Sequence, residues 1–261
     1  MNRLDKEIVV RGLAPTRTKA QELIKNGCVV CNNNVVTKVS LEVSSDDIIT
    51  ITDNQTLKYV SRAGLKLDKA INVFNIDILN KNVMDIGSST GGFTDCALQN
   101  GANSVIAINV GTNLMHPSLR TNPKITLLEQ TNIKTLDSSY FKNIDIITID
   151  VSFISLSKIF EKIFSEQIKV DIIALIKPQF ECGKQVASKF KGVITSNQAH
   201  MDVLNNVINM ASSFGFNLIN LDYSPIKGGD GNIEYISHFS NKTNSTATIN
   251  TKNVVNTAFN S

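Results

Sequence analysis

The 261-residue chain is 42% hydrophobic and 19% charged, an ordinary balance for a globular protein long enough for one or two cores. No run approaches the ~18 uncharged apolar residues of a membrane span, and Asp5, Lys6 and Glu7 stand where a signal peptide would be apolar. A net charge of +3 permits a nucleic-acid partner without demanding one, so the placement of charge matters more than its sum.

The N-terminal segment is distinct. "LDKEIVVRGLAPTRTKAQELIKNG" holds two short helical patterns split by Ala14-Pro15, with Leu4, Ile8 and Val9 on one apolar face and Ala20, Leu23 and Ile24 on another. Thr16 is placed to cap the second helix and Gly27 to end it. Three β-rich pieces follow, "CVVCNN", "NVVTKVS" and "DIITIT", the first two joined by turn chemistry. Cys28 and Cys31 have C-x-x-C spacing, but no second pair and no nearby histidine completes a metal site. With Cys96 and Cys182 they read as reduced core cysteines of an intracellular, cytoplasmic chain, and no metal is expected.

After a polar linker, "TDNQT" at 52–56, "YVSRAGLKLDKAINVF" reads as an amphipathic helix with Ser61 as cap and Leu65, Ala70, Ile71 and Phe74 facing inward. From Val83 onward apolar strands alternate with helical patterns: "VMDIG", "SVIAINV", "KITLLE", "IDIITIDV" and "DIIALIK". Such alternation predicts a parallel sheet covered by helices on both faces. "FNLINLDYSP" and "NIEYISHFS" are joined only by "IKGGDG", too short for a crossover, so they pair antiparallel at the sheet edge. The Thr/Asn/Ser-rich tail, 243–261, offers little to bury and is expected to be disordered.

Several features concentrate where strands end. "MDIGSSTGGFTD" follows the first strand of the α/β part and opens a helix; Gly87 permits a tight turn, and Gly91 and Gly92 let a ligand approach backbone N–H groups. It is neither the G-x-G-x-x-G dinucleotide pattern nor a phosphate loop. Asp150 and Lys177 each end a buried strand, the place where open α/β sheets bind ligands. Either alone could be a structural ion pair. Glu234 alone could be a solvent-facing strand residue, and Lys66 a solvated helix residue beside Arg62 and Lys69.

Those residues carry a resemblance. "SRAGLKL", "DIGSSTGGFTDCALQNGA", "DVSFISL", "LIKPQFE" and "GNIEYI" resemble the TlyA-type ribosomal-RNA 2′-O-methyltransferases, also called haemolysins, over essentially the whole ordered chain. The resemblance implies a small α+β S4-like RNA-binding domain at 1–55 and, at 56–242, an FtsJ-like domain. The latter implies an α/β, Rossmann-like S-adenosyl-L-methionine-dependent methyltransferase sheet, mostly parallel with an antiparallel last strand. It implies a catalytic tetrad of Lys66, Asp150, Lys177 and Glu234. Cofactor contacts would come from Asp85, Gly87, Ser88, Ser89, Gly91, Gly92, Phe93 and Asn109, and RNA contacts from Arg3, Arg11, Arg17, Lys19, Arg62 and Lys184. In residues 1–25 six basic side chains stand against three acidic ones, and Lys184, Lys189 and Lys191 lie in a glycine-containing loop that could cover the substrate. One departure stands out: "NVG" places Asn109 where the family carries an aspartate for the cofactor ribose, so a weaker, uncharged hydrogen bond is expected there.

The implied reaction is methylation of a ribose hydroxyl, expected on cytidine, in ribosomal RNA or ribosomal subunits. It requires alignment of the oxygen with the methyl group and removal of a proton from a very weak acid. Lys177 is expected to accept or orient that proton, with Lys66 as a second cation nearby. Two alternatives remain open on sequence alone: an RNA-binding protein with a degenerate methyltransferase domain, and a membrane-active haemolysin.

Overall fold

The computed structural model describes residues 2–25, 28–32, 34–51, 58–152, 154–190, 192–228, 230–244 and 247–261. Gly27, the 52–56 linker, Lys191 and the side chain of Lys184 lie outside the described residues. Two compact units are present, Met1–Arg62 and Ala63–Ser261.

In the first unit, β1 (Asn2–Arg3) leads into α1 (Leu4–Val10) and then α2 (Arg17–Lys25). β2 (Val29–Cys31), β3 (Asn34–Val36), β4 (Glu42–Val43) and β5 (Ile49–Ile51) follow. β2 is the centre of an antiparallel three-stranded sheet with β3 and β5, and β1 pairs with β4. The predicted apolar faces meet: Leu4, Ile8, Ala20, Leu23, Ile24 and Val29 are fully enclosed, with Cys28 and Cys31 in the same cluster. Thr16 caps α2, its hydroxyl accepting from the Lys19 N–H at 3.2 Å.

The second unit opens with α3 (Gly64–Phe74). Ala63, not Ser61, holds the cap position, and Leu67 rather than Leu65 is fully enclosed. The helix begins two residues later than the expected cap places it, while Ala70 and Ile71 face inward as expected. Along the chain then come β6 (Asn82–Ile86), α4 (Gly92–Gln99), β7 (Ser104–Ile108), α5 (Pro117–Arg120) and β8 (Ile125–Leu128). β9 (Ile146–Ile149), α6 (Leu156–Ser165), β10 (Asp171–Ile176), α7 (Pro178–Glu181), α8 (Gly183–Lys189) and α9 (Asn197–Ser213) follow. The last elements are β11 (Asn217–Tyr223), β12 (Tyr235–Ser240) and α10 (Thr251–Phe259).

The seven strands order as β11-β12-β10-β9-β6-β7-β8. All neighbours from β10 to β8 pair in parallel, while β12 is antiparallel to both β10 and β11. All four residues of β9 and five of the six in β10 are buried, as central parallel strands covered on both faces require. The order places the carboxyl ends of β11, β10, β9, β6 and β7, and the start of β12, along one edge.

Two stretches depart from expectation. The tail is not disordered: α10 is a helix packed on α9 and β11, with Val255 and Ala258 buried. Its apolar residues are few, but Val254, Val255, Ala258 and Phe259 recur at helical spacing and close over the sheet core. The expected loop after Lys177 is instead the helix α8.

Candidate active site

Strand β10 is apolar from Ile172 to Ile176; Lys177 follows in extended conformation as the cap of α7, and Pro178 takes the first helical position. The lysine is thereby set at the sheet edge, 8% exposed, with its Nζ 2.5 Å from Asp150 Oδ1 and 3.4 Å from Ser152 Oγ. Asp150 directly follows β9. Its Oδ2 lies 4.0 Å from Lys66 Nζ, which projects from the first turn of α3. Lys66 Nζ in turn lies 2.5 Å from Glu234 Oε2, and Glu234 directly precedes β12 rather than lying within it. Gln179 donates to the other Glu234 oxygen at 3.4 Å. The four side chains form one row, Glu234–Lys66–Asp150–Lys177, in which cation and carboxylate alternate. Each buried charge thus has an opposite neighbour, as burial demands.

The glycine-rich turn adjoins this row. Gly87 has φ +87°, and a Cβ on it would fall 2.4 Å from the Asp150 carbonyl oxygen, so only glycine lets β6 turn this close to β9. Gly91, φ +94°, packs likewise against Met115 and Leu119 and caps α4. A cavity of about 450 Å³ opens beside the turn; Gly87, Ser89, Asn109 and Asp150 line it, as do Thr131 and Asn132. Ser88 Oγ and Asn109 Nδ2 are enclosed and have no hydrogen-bond partner among the described residues, which leaves both able to bond a ligand. Gly91, Gly92 and Phe93 are buried beneath the turn and shape it rather than line the cavity.

Asp85 differs from expectation. It does not face the cavity: its side chain is fully enclosed, accepting from Thr94 Oγ1 at 2.6 Å and Thr148 Oγ1 at 3.0 Å. Burial pushes its carboxyl up to about 6; the two hydroxyls oppose the rise and nearby Asp150 adds to it. The folded state therefore prefers the neutral acid, so Asp85 favours folding most below pH ~4, and that contribution is lost as pH rises through about 6. We expect Asp85→Asn to gain stability relative to the parent between pH 4 and pH 7.5, by about 2–3 kcal/mol for two pKa units. Urea unfolding of both proteins at the two pH values measures this, and a pH-independent difference refutes it.

The N-terminal cations divide. Arg11 is saturated: it donates to Glu7, to the Asp47 carbonyl at 2.6 Å and to the Ser44 carbonyl at 2.8 Å, tying α1 to the β4–β5 turn. Lys19, 7% exposed, donates to the Tyr59 carbonyl at 3.3 Å and to Glu22. Neither is placed for phosphate. Arg3 and Arg17 both pair with buried Asp5 yet remain nearly half exposed. Arg62 is half-buried.

Sequence reading missed Thr131, Asn132, Ser152 and Gln179. The first two follow β8 at the same carboxyl edge, a position that was itself the available signal.

An open, doubly wound sheet with a glycine turn, a cavity and a charged row at its carboxyl edge defines a Rossmann-like α/β domain whose candidate ligand site lies where such sheets bind ligands. Residues 59–241 match the FtsJ-like methyltransferase family and residues 2–49 the S4 domain. Hemolysin A of Brachyspira hyodysenteriae is 42% identical over 91% of this chain and 99% of its own. The 23S rRNA (cytidine-2'-O)-methyltransferase TlyA of Campylobacter jejuni is 39% identical over 88% of this chain and 96% of its own. A solved chain from Streptococcus thermophilus, 36% identical, superposes with a TM-score of 0.77 and covers 99% of this chain and 96% of that one. The chain belongs to the FtsJ-like methyltransferase family, in the S4-bearing branch of TlyA and Hemolysin A. Among the described residues no helix is long and apolar enough to cross a membrane.

Proposed function

We propose that the chain methylates a ribose 2′-hydroxyl, on cytidine, in ribosomal RNA, using S-adenosyl-L-methionine. One observation carries this: the row Glu234–Lys66–Asp150–Lys177 stands at the carboxyl edge directly beside the Gly87 turn and its cavity. The similarity to the Campylobacter 23S rRNA (cytidine-2'-O)-methyltransferase supports the choice of hydroxyl and nucleotide. The cavity residues fit the cofactor: Gly87 admits close approach, and Asn109 offers a polar atom without a partner among the described residues. When bound, the cofactor supplies a sulfonium methyl group as the electrophile. Lys177 orients the hydroxyl oxygen for in-line attack and, once its amine has released a proton to solvent, takes the proton of the hydroxyl, while Asp150 at 2.5 Å holds the amine in place. Asp150 also holds Lys66, and Glu234 fixes Lys66 from the other side, so that neither amine can swing away. Asp85 acts at one remove, binding Thr94 of α4 and Thr148 of β9 and so setting the turn against the sheet.

Purified protein, labelled cofactor and ribosomal subunits, with digestion of the product to nucleosides, test the proposal. Label in 2′-O-methylcytidine is expected; label on a base, or none, overturns it.

Asn109→Asp should tighten binding of the free cofactor by roughly 1 kcal/mol, the gain from making one hydrogen bond charge-assisted. Calorimetry that gives an unchanged Kd would show that this side chain does not contact the ribose. The S4 unit is assigned the salt-sensitive part of RNA affinity. Arg3→Ala and Arg17→Ala should each lower the salt slope of rRNA binding by about 1, whereas Arg11→Ala should instead lower the thermal midpoint. Filter binding across a salt series separates the two behaviours.

A further inference from the structure

A second cavity, of about 400 Å³, opens at the same carboxyl edge. Lys69, Tyr223, Pro225, Lys227, Glu234 and Ala258 are among its walls. In the strand order it falls on the β11–β12 side of the charged row, while the cavity at Gly87 and Asn109 falls on the β6–β7 side. Glu234 belongs both to the row and to the wall of this second cavity. Lys69 is fixed in place, 2.9 Å from Asp222 and 3.6 Å over the Tyr223 ring centroid, so the wall it forms is rigid. Lys227 is exposed on the rim and makes no ion pair among the described residues.

We propose that this cavity receives the acceptor RNA, holding a nucleotide next to the reacting ribose. The proposal rests on the reading of the site as a 2′-O-methyltransferase. A transfer between two molecules needs two binding spaces flanking the groups that act on the hydroxyl, and the row has a cavity on either side. The volume suits one nucleotide rather than a buried water cluster. The polar walls suit it too. Ser261 offers an exposed hydroxyl to a nucleoside, and Lys227 at the rim, without an ion pair among the described residues, meets its phosphate. The C-terminal helix α10, which supplies Ala258, becomes part of the acceptor site.

Photo-crosslinking of a short oligoribonucleotide containing 4-thiouridine to the full chain, with peptide mapping, tests the placement without requiring turnover. Crosslinks within residues 223–227 are expected; crosslinks confined to other segments overturn the proposal. Ser261 lines the same cavity and is exposed, so Ser261→Trp obstructs it without disturbing the core. That variant should raise the RNA KM at least about tenfold while the cofactor Kd stays within about twofold. An unchanged RNA KM also overturns the proposal. Wild-type protein that crosslinks at 223–227 but transfers no methyl group would refute the methyltransferase reading and leave the cavity assigned to RNA.

Discussion

Lys177→Ala should reduce methyl transfer by about 10²–10⁴-fold, the usual contribution of a positioned proton acceptor, and leave cofactor and RNA affinity within a few-fold. The expectation follows from where the side chain stands. It follows a run that is apolar from Ile172 to Ile176, and Pro178 turns the chain away at once, so the ammonium group hangs over the edge instead of stabilising the core. Removing it does not strand its partner. Asp150 keeps Lys66 at 4.0 Å, and its side chain is 15% exposed, enough for water to reach. The thermal midpoint should therefore hold or rise slightly. Single-turnover transfer and calorimetric unfolding, measured on the same preparation, decide it. A variant that unfolds, or one that transfers at the parent rate, would make Lys177 a structural ion-pair partner.

Lys66→Ala should behave in the opposite way and lose stability as well as activity. Lys66 is the cation between two carboxylates, and Glu234 is only 3% exposed. Without the lysine, Glu234 keeps, among the described residues, only the 3.4 Å side-chain contact from Gln179. A buried charge left without its partner costs about 3–5 kcal/mol. Urea unfolding should show that loss, and adding Glu234→Gln to Lys66→Ala should recover much of it, since the stranded charge is then gone. Equal stability of the single variant and the parent would mean that Glu234 reaches solvent. The two lysines of one row should thus separate by a stability measurement, although both substitutions slow the same reaction.

Cys28 and Cys31 occupy the core of the N-terminal unit, and among the described residues no group of three potential ligands is placed to hold a metal. Arg11 and Lys19 carry a related lesson. Both are basic residues in a basic segment, yet each is engaged by backbone carbonyls and a carboxylate. Counting charges could not reveal this, because the carbonyl acceptors come from residues 33–40 positions away that folding brings into range.

The sequence by itself determined the strands of the sheet, the antiparallel pair at its end, and the residues at strand termini. Hydrophobic runs can hide only in a covered sheet, and a charge that ends such a run must emerge at an edge. It also determined Gly87, since a short turn from strand to helix needs a residue free to take positive φ. Tertiary structure alone decided how the charges pair. Lys66 and Glu234 are 168 positions apart, and only the insertion of β12 between β10 and β11 brings them together. It also decided that Asp85 faces Thr94 and Thr148 rather than the cavity, because alternation along a strand names two faces without saying which one a helix covers. The tail, too polar to fold unaided, gains order from the surface it covers: α10 is held by α9 and β11, whose apolar faces exist only after the sheet has formed.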